Sequence, residues 1–369
     1  MEAALLAILV AMALAWFNGA NDNIKGAVTL VGCGLSSPRQ AIVLATAATA
    51  AGGLASLWLL SGLLQAFSGR GIVPDALAGS AMFLVPVGLA AAGTVGLATR
   101  LGLPISTTHA LVGALIGAGW QAAPGASVIM ATLAGLALTL ILVPLSAVAL
   151  ALLVLPLAGR LRRRSVGRPD PCLCVASEHL PAGGVSTLAQ ARVVFGDVSQ
   201  PACASAAEGA VLHWSSLRTL DIAHLLSALA VSFARGLNDT PKIAAIALVG
   251  FGSGAAPASL AVVVAMAMGG LVAARRVTET MAWRVTRMDA AEGFGGNLVT
   301  SGLVLAASAV GMPVSTTHVS CGALFGLAAN NRSGRMRTIV SIALAWLITL
   351  PLAAALGMMF FFLTDRIWQ

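Results

Sequence analysis

Two short motifs, each present twice, carry the residues that could do chemistry. Asn21-Asp22 and Asn238-Asp239 put a carboxylate beside an amide within otherwise apolar stretches, in Gly19–Lys25 (GANDNIK) and Gly236–Lys242 (GLNDTPK). A carboxylate at mid-bilayer costs about 2.5 to 3.5 kcal/mol on insertion scales, so something must compensate it. A helix broken at Gly-x-Asn-Asp frees backbone carbonyls. With the carboxylate and amide oxygens, these make a cage suited to a hard cation. The plainer alternative is a helix cap at a membrane surface, and the second copy favours the cation site. Lys25 and Lys242 stand three residues beyond each Asp, about one helical turn away, and so are candidates to compensate its charge. Arg235, just before the second Gly, is a third candidate. The alternative for the lysines is snorkelling to the surface from helix ends.

The second motif is Pro-x-Ser-Thr-Thr-His. Pro104–Gly117 (PISTTHALVGALIG) and Pro313–Gly326 (PVSTTHVSCGALFG) are identical at nine of fourteen positions. Proline suits the first turn of a helix and Ser or Thr caps its free N–H groups. Such a start, with the hydroxyls of Ser106, Thr107 and Thr108 or of Ser315, Thr316 and Thr317, binds an anion without needing a net positive charge. A single copy would be a plain cap. Two copies facing each other could share one tetrahedral oxyanion. His109 and His318 close the motifs and read as packing or hydrogen-bonding residues before a transport role. Gly113-x-x-x-Gly117 and Gly322-x-x-x-Gly326 read as close-packing helix faces.

The elements that must position these residues are membrane helices. Of 369 residues, 58% are hydrophobic and 9% charged, against about a quarter charged in soluble domains. Ten hydrophobic segments (3–31, 40–67, 78–99, 104–120, 124–157, 219–250, 257–274, 293–310, 313–329 and 338–363) can be drawn. Most reach the roughly 18 to 20 residues that cross a bilayer as helix. Segment 104–120 is short enough to re-enter instead, and 124–157 is long enough to turn back. The first apolar run has no preceding Lys or Arg and reads as a retained helix, not a leader. With the N-terminus outside, the loop arginines fall inside except Arg70 and Arg366. The net charge of +8 is thus a positive-inside pattern in a cytoplasmic membrane and no nucleic-acid face, with both termini outside.

A membrane repeat over 1–158, a cytoplasmic linker loop over 159–218 and a second membrane repeat over 219–369 follow. Five segments per half invert the second half relative to the first. The fold class expected is an all-α integral membrane protein with about 10–12 transmembrane helices in two inverted-topology repeats with broken helices. Cys172, Cys174 and Cys203 share the linker with Glu178 and His179, in a spacing unlike that of known zinc modules. No metal, cofactor or catalytic set is expected.

The duplicated motifs resemble those of the inorganic phosphate transporter family, called PiT, and the stretch from Gly293-Phe294 to Gly311-Met312-Pro313 is also similar to it. Resemblance to a bacterial-type member implies import of inorganic phosphate coupled to a sodium or proton gradient. It implies that Asn21, Asp22, Asn238 and Asp239 serve the cation, and that the Ser-Thr-Thr residues serve the anion. The family often has Asn where Lys25 and Lys242 stand, although Lys is familiar in second halves of bacterial members, and His where Arg235 stands. Lys25 therefore stands where relatives bind sodium, or helps attract the anion. Sulfate is the alternative substrate, since some relatives carry it, and the sequence allows a homodimer. A membrane-embedded phosphoryl-transfer enzyme is the rival from another class. It is disfavoured because no Gly-rich phosphate loop follows a strand and the polar groups recur in pairs.

Overall fold

The computed structural model describes the chain except residues 1, 60–63, 65, 66, 70–72, 75, 124–141, 157–170, 179–189, 198–209, 253, 313 and 369; it describes 59, 171–178, 190–197 and 210–218 by backbone alone. Helices dominate. In the first half these are α1 (Glu2–Asp22), α2 (Val28–Gly32), α3 (Pro38–Leu59), α4 (Ala81–Leu101), α5 (Thr107–Ala122) and α6 (Leu142–Pro156). The second half holds α7 (Ser216–Phe251), α8 (Ala255–Ala273), α9 (Arg275–Trp283), α10 (Ala290–Ala309), α11 (Thr316–Asn331) and α12 (Met336–Trp368).

Among the described residues, six stretches are long and apolar enough to cross a membrane: Glu2–Gly26, Pro38–Trp58, Ala81–Leu101, Thr219–Phe251, Ala255–Ala273 and Met336–Trp368. The segments drawn at 104–120 and 313–329 are instead the 16-residue helices α5 and α11. At 1.5 Å per residue each is about 24 Å long, short of the roughly 30 Å hydrocarbon thickness. Most of segment 124–157 ahead of α6 lies outside the described residues.

Local sequence explains where the helices stop. Ser80 caps α4 by accepting the Phe83 N–H at 3.3 Å, and α4 ends at Gly102 with φ 69°. Asp289 caps α10 in a capping box with Glu292, and Gly311 follows it at φ 70°. Only a residue without a Cβ adopts that left-handed conformation cheaply. A few residues after each turn, Ser106 and Ser315 are extended and open the next Ser-Thr-Thr helix.

The linker holds regular structure that its composition did not announce: an antiparallel three-stranded sheet in the order β2-β1-β3, from β1 (Pro171–Glu178), β2 (Gln190–Asp197) and β3 (Ala210–Ser215). Cys172 and Cys174 lie on its central strand, with Cys174 opposite Val194 and His213. His179 and Cys203 lie outside the described residues.

The two halves interlock by exchanging equivalent contacts. A Cβ on Gly19 would collide with the Met266 carbonyl of α8, and one on Gly236 with the Thr49 carbonyl of α3. These glycines let backbones touch where each Asn-Asp pair passes its neighbour. The same exchange recurs at the short helices. Gly113 and Gly117 of α5 sit against Leu350 and Ala354 of α12, while Gly322 and Gly326 of α11 sit against Pro144 and Val148 of α6. If residue i of one half meets j of the other, the counterpart of i meets the counterpart of j, which is the signature of a twofold relation.

Candidate functional site

The helix starts come first, because they set where the backbone points. Ser106 caps α5 by accepting the His109 N–H at 3.0 Å, and Ser315 caps α11 by accepting that of His318 at 3.2 Å. The N–H groups of the first helical residues then have no acceptor within their own helix. The two starts meet. The Thr108 hydroxyl donates to the Val314 carbonyl at 3.3 Å and that of Thr317 to the Ile105 carbonyl at 2.8 Å. Just beyond, the His109 and His318 rings stack, 4.1 Å between centroids and 16° apart in plane.

Against this junction lie five buried charged groups. Lys25 pairs with Asp22, donates to the Thr317 hydroxyl, and donates to the Ile105 carbonyl at 3.1 Å. Its counterpart Lys242 reaches Asp239 at 3.4 Å, the Thr108 hydroxyl at 2.8 Å and the Val314 carbonyl at 2.9 Å. Each ammonium is therefore held by a carboxylate, a carbonyl and a hydroxyl, and the hydroxyl belongs to the other half. Burying an ion is expensive unless it is paired and its remaining hydrogen-bonding capacity met, and these contacts do both.

The amides tie the two motifs together within each half. Asn21 donates to the Thr99 hydroxyl at 3.1 Å and the Leu103 carbonyl at 3.0 Å, and accepts the Ile105 N–H at 3.1 Å. Asn238 donates to the Val314 carbonyl at 3.0 Å and accepts from Ser308 at 3.4 Å. The amides thus fix the strands leading into α5 and α11.

Arg235 is fully buried and sits between the halves. Its Nη2 donates to Asn18 Oδ1 at 2.6 Å and to the Asn18 carbonyl at 3.2 Å, its Nη1 to Thr49 at 3.2 Å, and its Nε faces Asp239 at 3.6 Å. The Asn18 amide nitrogen lies within hydrogen-bond distance of Asp22 (3.1 Å), Thr107 (3.0 Å) and Asp239 (3.3 Å). Thr107 in turn donates to Asp22 at 3.2 Å.

Of the residues singled out from sequence, Asn21, Asp22, Lys25, Ser106, Thr107, Thr108, Arg235, Asn238, Asp239, Lys242, Ser315 and Thr317 are joined by these contacts, Thr316 is buried at the first position of α11, and two expectations are revised. The expected break at Gly-x-Asn-Asp occurs once. After Asp22 the chain enters a 3-10 turn (Asn23–Gly26) before α2, whereas α7 runs unbroken through Gly236, Asn238, Asp239 and Pro241 to Phe251. The carbonyls of the cages accordingly come from the strands before α5 and α11, at Ile105 and Val314, not from a freed helix end. The six hydroxyls also divide: Ser106 and Ser315 act as caps and Thr108 and Thr317 bind the ammoniums. Sequence reading missed Asn18. Its signal was there, since Asn18 precedes Gly19 just as Arg235 precedes Gly236.

Residues 18–357 match the phosphate transporter family. The chain is similar to "Inorganic phosphate transporter 2-1, chloroplastic" of Arabidopsis thaliana, at 27% identity over 98% of this chain and 72% of the other. It is also similar to a protein of Chlamydia pneumoniae named as a phosphate permease, at 26% identity over 94% and 95%. Its fold matches a solved structure titled "The sodium-dependent phosphate transporter" over 100% of both chains, with a TM-score of 0.75 at 20% identity. Duplicated motifs, interlocked halves and a match over nearly the whole chain lead to one statement: this multi-pass membrane protein belongs to the phosphate transporter family.

Proposed function

We propose that this protein is a secondary transporter that imports inorganic phosphate across the cytoplasmic membrane, by alternating access around the centre where α5 and α11 start. The observation that carries the reading is the meeting of two helix N-termini over a buried cluster of Lys25, Lys242 and Arg235 against Asp22 and Asp239. Three cations face two carboxylates. A monovalent anion neutralises that excess, and the free N–H groups with the hydroxyl of Thr316, joined by that of Thr107 when it turns from Asp22 to the anion, supply its donors. Dihydrogen phosphate meets both demands, whereas the sulfate dianion leaves one charge uncompensated. The reciprocal packing, with five hydrophobic segments per half, supports halves that are inverted in the bilayer. The distribution of arginine supports a cytoplasmic linker and outward termini.

Asn21, Asp22, Asn238 and Asp239 are the coupling side of the site in this reading. The Nζ atoms of Lys25 and Lys242 stand in oxygen cages of the kind a sodium ion would take. Tethered ammoniums hold those places, so uptake follows a proton gradient and depends little on sodium.

Uptake of labelled phosphate into proteoliposomes tests the proposal, with sulfate and arsenate as competitors and a sodium or proton gradient imposed. Phosphate accumulated chemically unchanged, competed by arsenate more than by sulfate and driven by the proton gradient, is the expected result. Failure to accumulate any oxyanion under either gradient refutes it.

A further inference from the structure

The central site is nearly symmetric, but the two columns that lead away from it are not. Towards the linker face, where α7 begins, Asn297 of α10 donates to Thr29 at 2.9 Å and to Ser227 at 3.2 Å. His224 shares a 2.9 Å hydrogen bond with Thr29, and Ser227 donates to the His224 carbonyl at 2.7 Å. Deeper in, the Ser320 hydroxyl donates to the Lys25 carbonyl at 3.2 Å. Thr29, Asn297, Thr300 and Ser320 line one narrow pocket of about 10 Å³, room for roughly a single water, with Glu292 also on its wall.

The same places in the other repeat are apolar. Gly88 replaces Asn297 and lies against Val10 and Ile246, which stand where Ser227 and Thr29 stand. Ala91 replaces Thr300 and Leu111 replaces Ser320. All of these residues are buried, and Val10, Ala91, Leu111 and Ile246 belong to two apolar clusters. The correspondence of positions is fixed independently by matched caps at Ser80 and Asp289, matched turns at Gly102 and Gly311, and matched bonds of Asn21 to Thr99 and Asn238 to Ser308.

We infer that Thr29, Ser227, Asn297, Thr300 and Ser320 line the route by which the central site exchanges its anion with the linker face, and that Val10, Gly88, Ala91, Leu111 and Ile246 are the gate that keeps the opposite face shut. The reading of the anion as phosphate rests on the proposed function; the route itself rests on the asymmetry. Water can replace the hydrogen bonds among hydroxyls and an amide nearly one for one, so the polar column wets at little cost. The aliphatic column expels water and closes by dewetting, as hydrophobic constrictions do in channels. A protein whose centre is twofold thereby has a preferred side.

Cysteine substitution at matched positions tests this. Thr300→Cys and Ala91→Cys are close in size to the native residues, and Ser227→Cys with Val10→Cys is a second matched pair. Full-length variants in sealed vesicles of each orientation are treated with a small charged methanethiosulfonate, and modification is read on the peptide concerned. The expected result is reaction of Thr300→Cys and Ser227→Cys from the linker face about tenfold or more faster than of their counterparts from the other face, slowed by added inorganic phosphate. Equal rates within a pair, or reaction of Ala91→Cys and Val10→Cys first, overturns the inference. Face-selective reaction that phosphate does not slow upholds the route and counts against the phosphate reading. Asn297→Leu, which matches the column to its apolar counterpart, lowers the maximal uptake rate about tenfold while KM moves within about twofold, in protein that remains monodisperse. An unchanged rate refutes the route.

Discussion

In the first half Asp22 ends a helix and Lys25 sits in the 3-10 turn that follows, whereas in the second Asp239 and Lys242 share the unbroken helix α7. The residue before the motif glycine differs as well: neutral Asn18 in one copy and cationic Arg235 in the other. Despite these differences both ammoniums reach the same three kinds of partner. The cage is therefore set by the carbonyl just ahead of its own half's motif helix and the hydroxyl of the other half's helix start, and the backbone that carries the lysine is free to vary. The cages differ in charge, not in the kinds of partner they offer the lysine: Asp22 answers one ammonium, while Asp239 answers an ammonium and a guanidinium.

The carboxylates should show the largest effect. Asp22→Asn and Asp239→Asn each reduce gradient-driven uptake to background, because removing one partner of a buried pair costs about 3–5 kcal/mol. If the copies differ in charge as described, Asp239→Asn, which strands two cations, also lowers the melting midpoint in detergent more than Asp22→Asn. Equal midpoints break the comparison.

The cations come next. Lys25→Asn and Lys242→Asn vacate the cages, and sodium stimulation of uptake appears in both if the cages are equivalent. Steep sodium dependence of the wild type with no change in either variant rules out the tethered-ammonium reading. Arg235→Asn makes the second copy like the first and removes the excess cation, so KM for phosphate rises about tenfold to a hundredfold, the worth of a lost interaction with a charged group.

The hydroxyls follow. Thr107→Val and Thr316→Val each raise KM by about tenfold to a hundredfold if each gives up a bond of about 1.5–3 kcal/mol to the anion. Thr107→Val is the worse of the two, because the Thr107 hydroxyl also accepts from the Asn18 amide. Normal uptake in both variants removes the shared anion site. The smallest effect belongs to the outer amide partners. Thr99→Val and Ser308→Ala each cost about 1 kcal/mol of stability in denaturant titration, and Ser308→Ala costs the less, its bond being 3.4 Å long against 3.1 Å.

Much of the centre was legible because duplication makes weak local signals mutually supporting. A lone Ser-Thr-Thr-His is a cap, but two in corresponding places imply a shared task. What stayed hidden were contacts that no local pattern encodes. Lys25 and Thr317 are separated by most of the chain, and nothing near either announces the other. The continuity of α7 through Gly236 and Pro241 was also unreadable, since both residues usually interrupt helices and only packing against α3 overrides them. The linker sheet was masked by composition, because short strands flanked by Pro, Ser and Gly read as loop. Among the described residues the six candidate spans are fewer than the ten segments drawn, in part for a geometric reason: apolar α5 and α11 start inside the protein and are short of a full crossing.

The exchanged packing of the short helices also bears on how the chain is made. Gly113 and Gly117 of α5 are shaped for the backbone of α12, which follows both motif pairs in sequence. While a ribosome is still translating the second half, α5 has emerged with its close-packing face uncovered, and it stays so until α12 arrives. The first motif helix is therefore synthesised well before its packing partner and is seated only once that partner exists. A nascent chain halted before Met336 would hold both motif pairs in full sequence and still lack an assembled site.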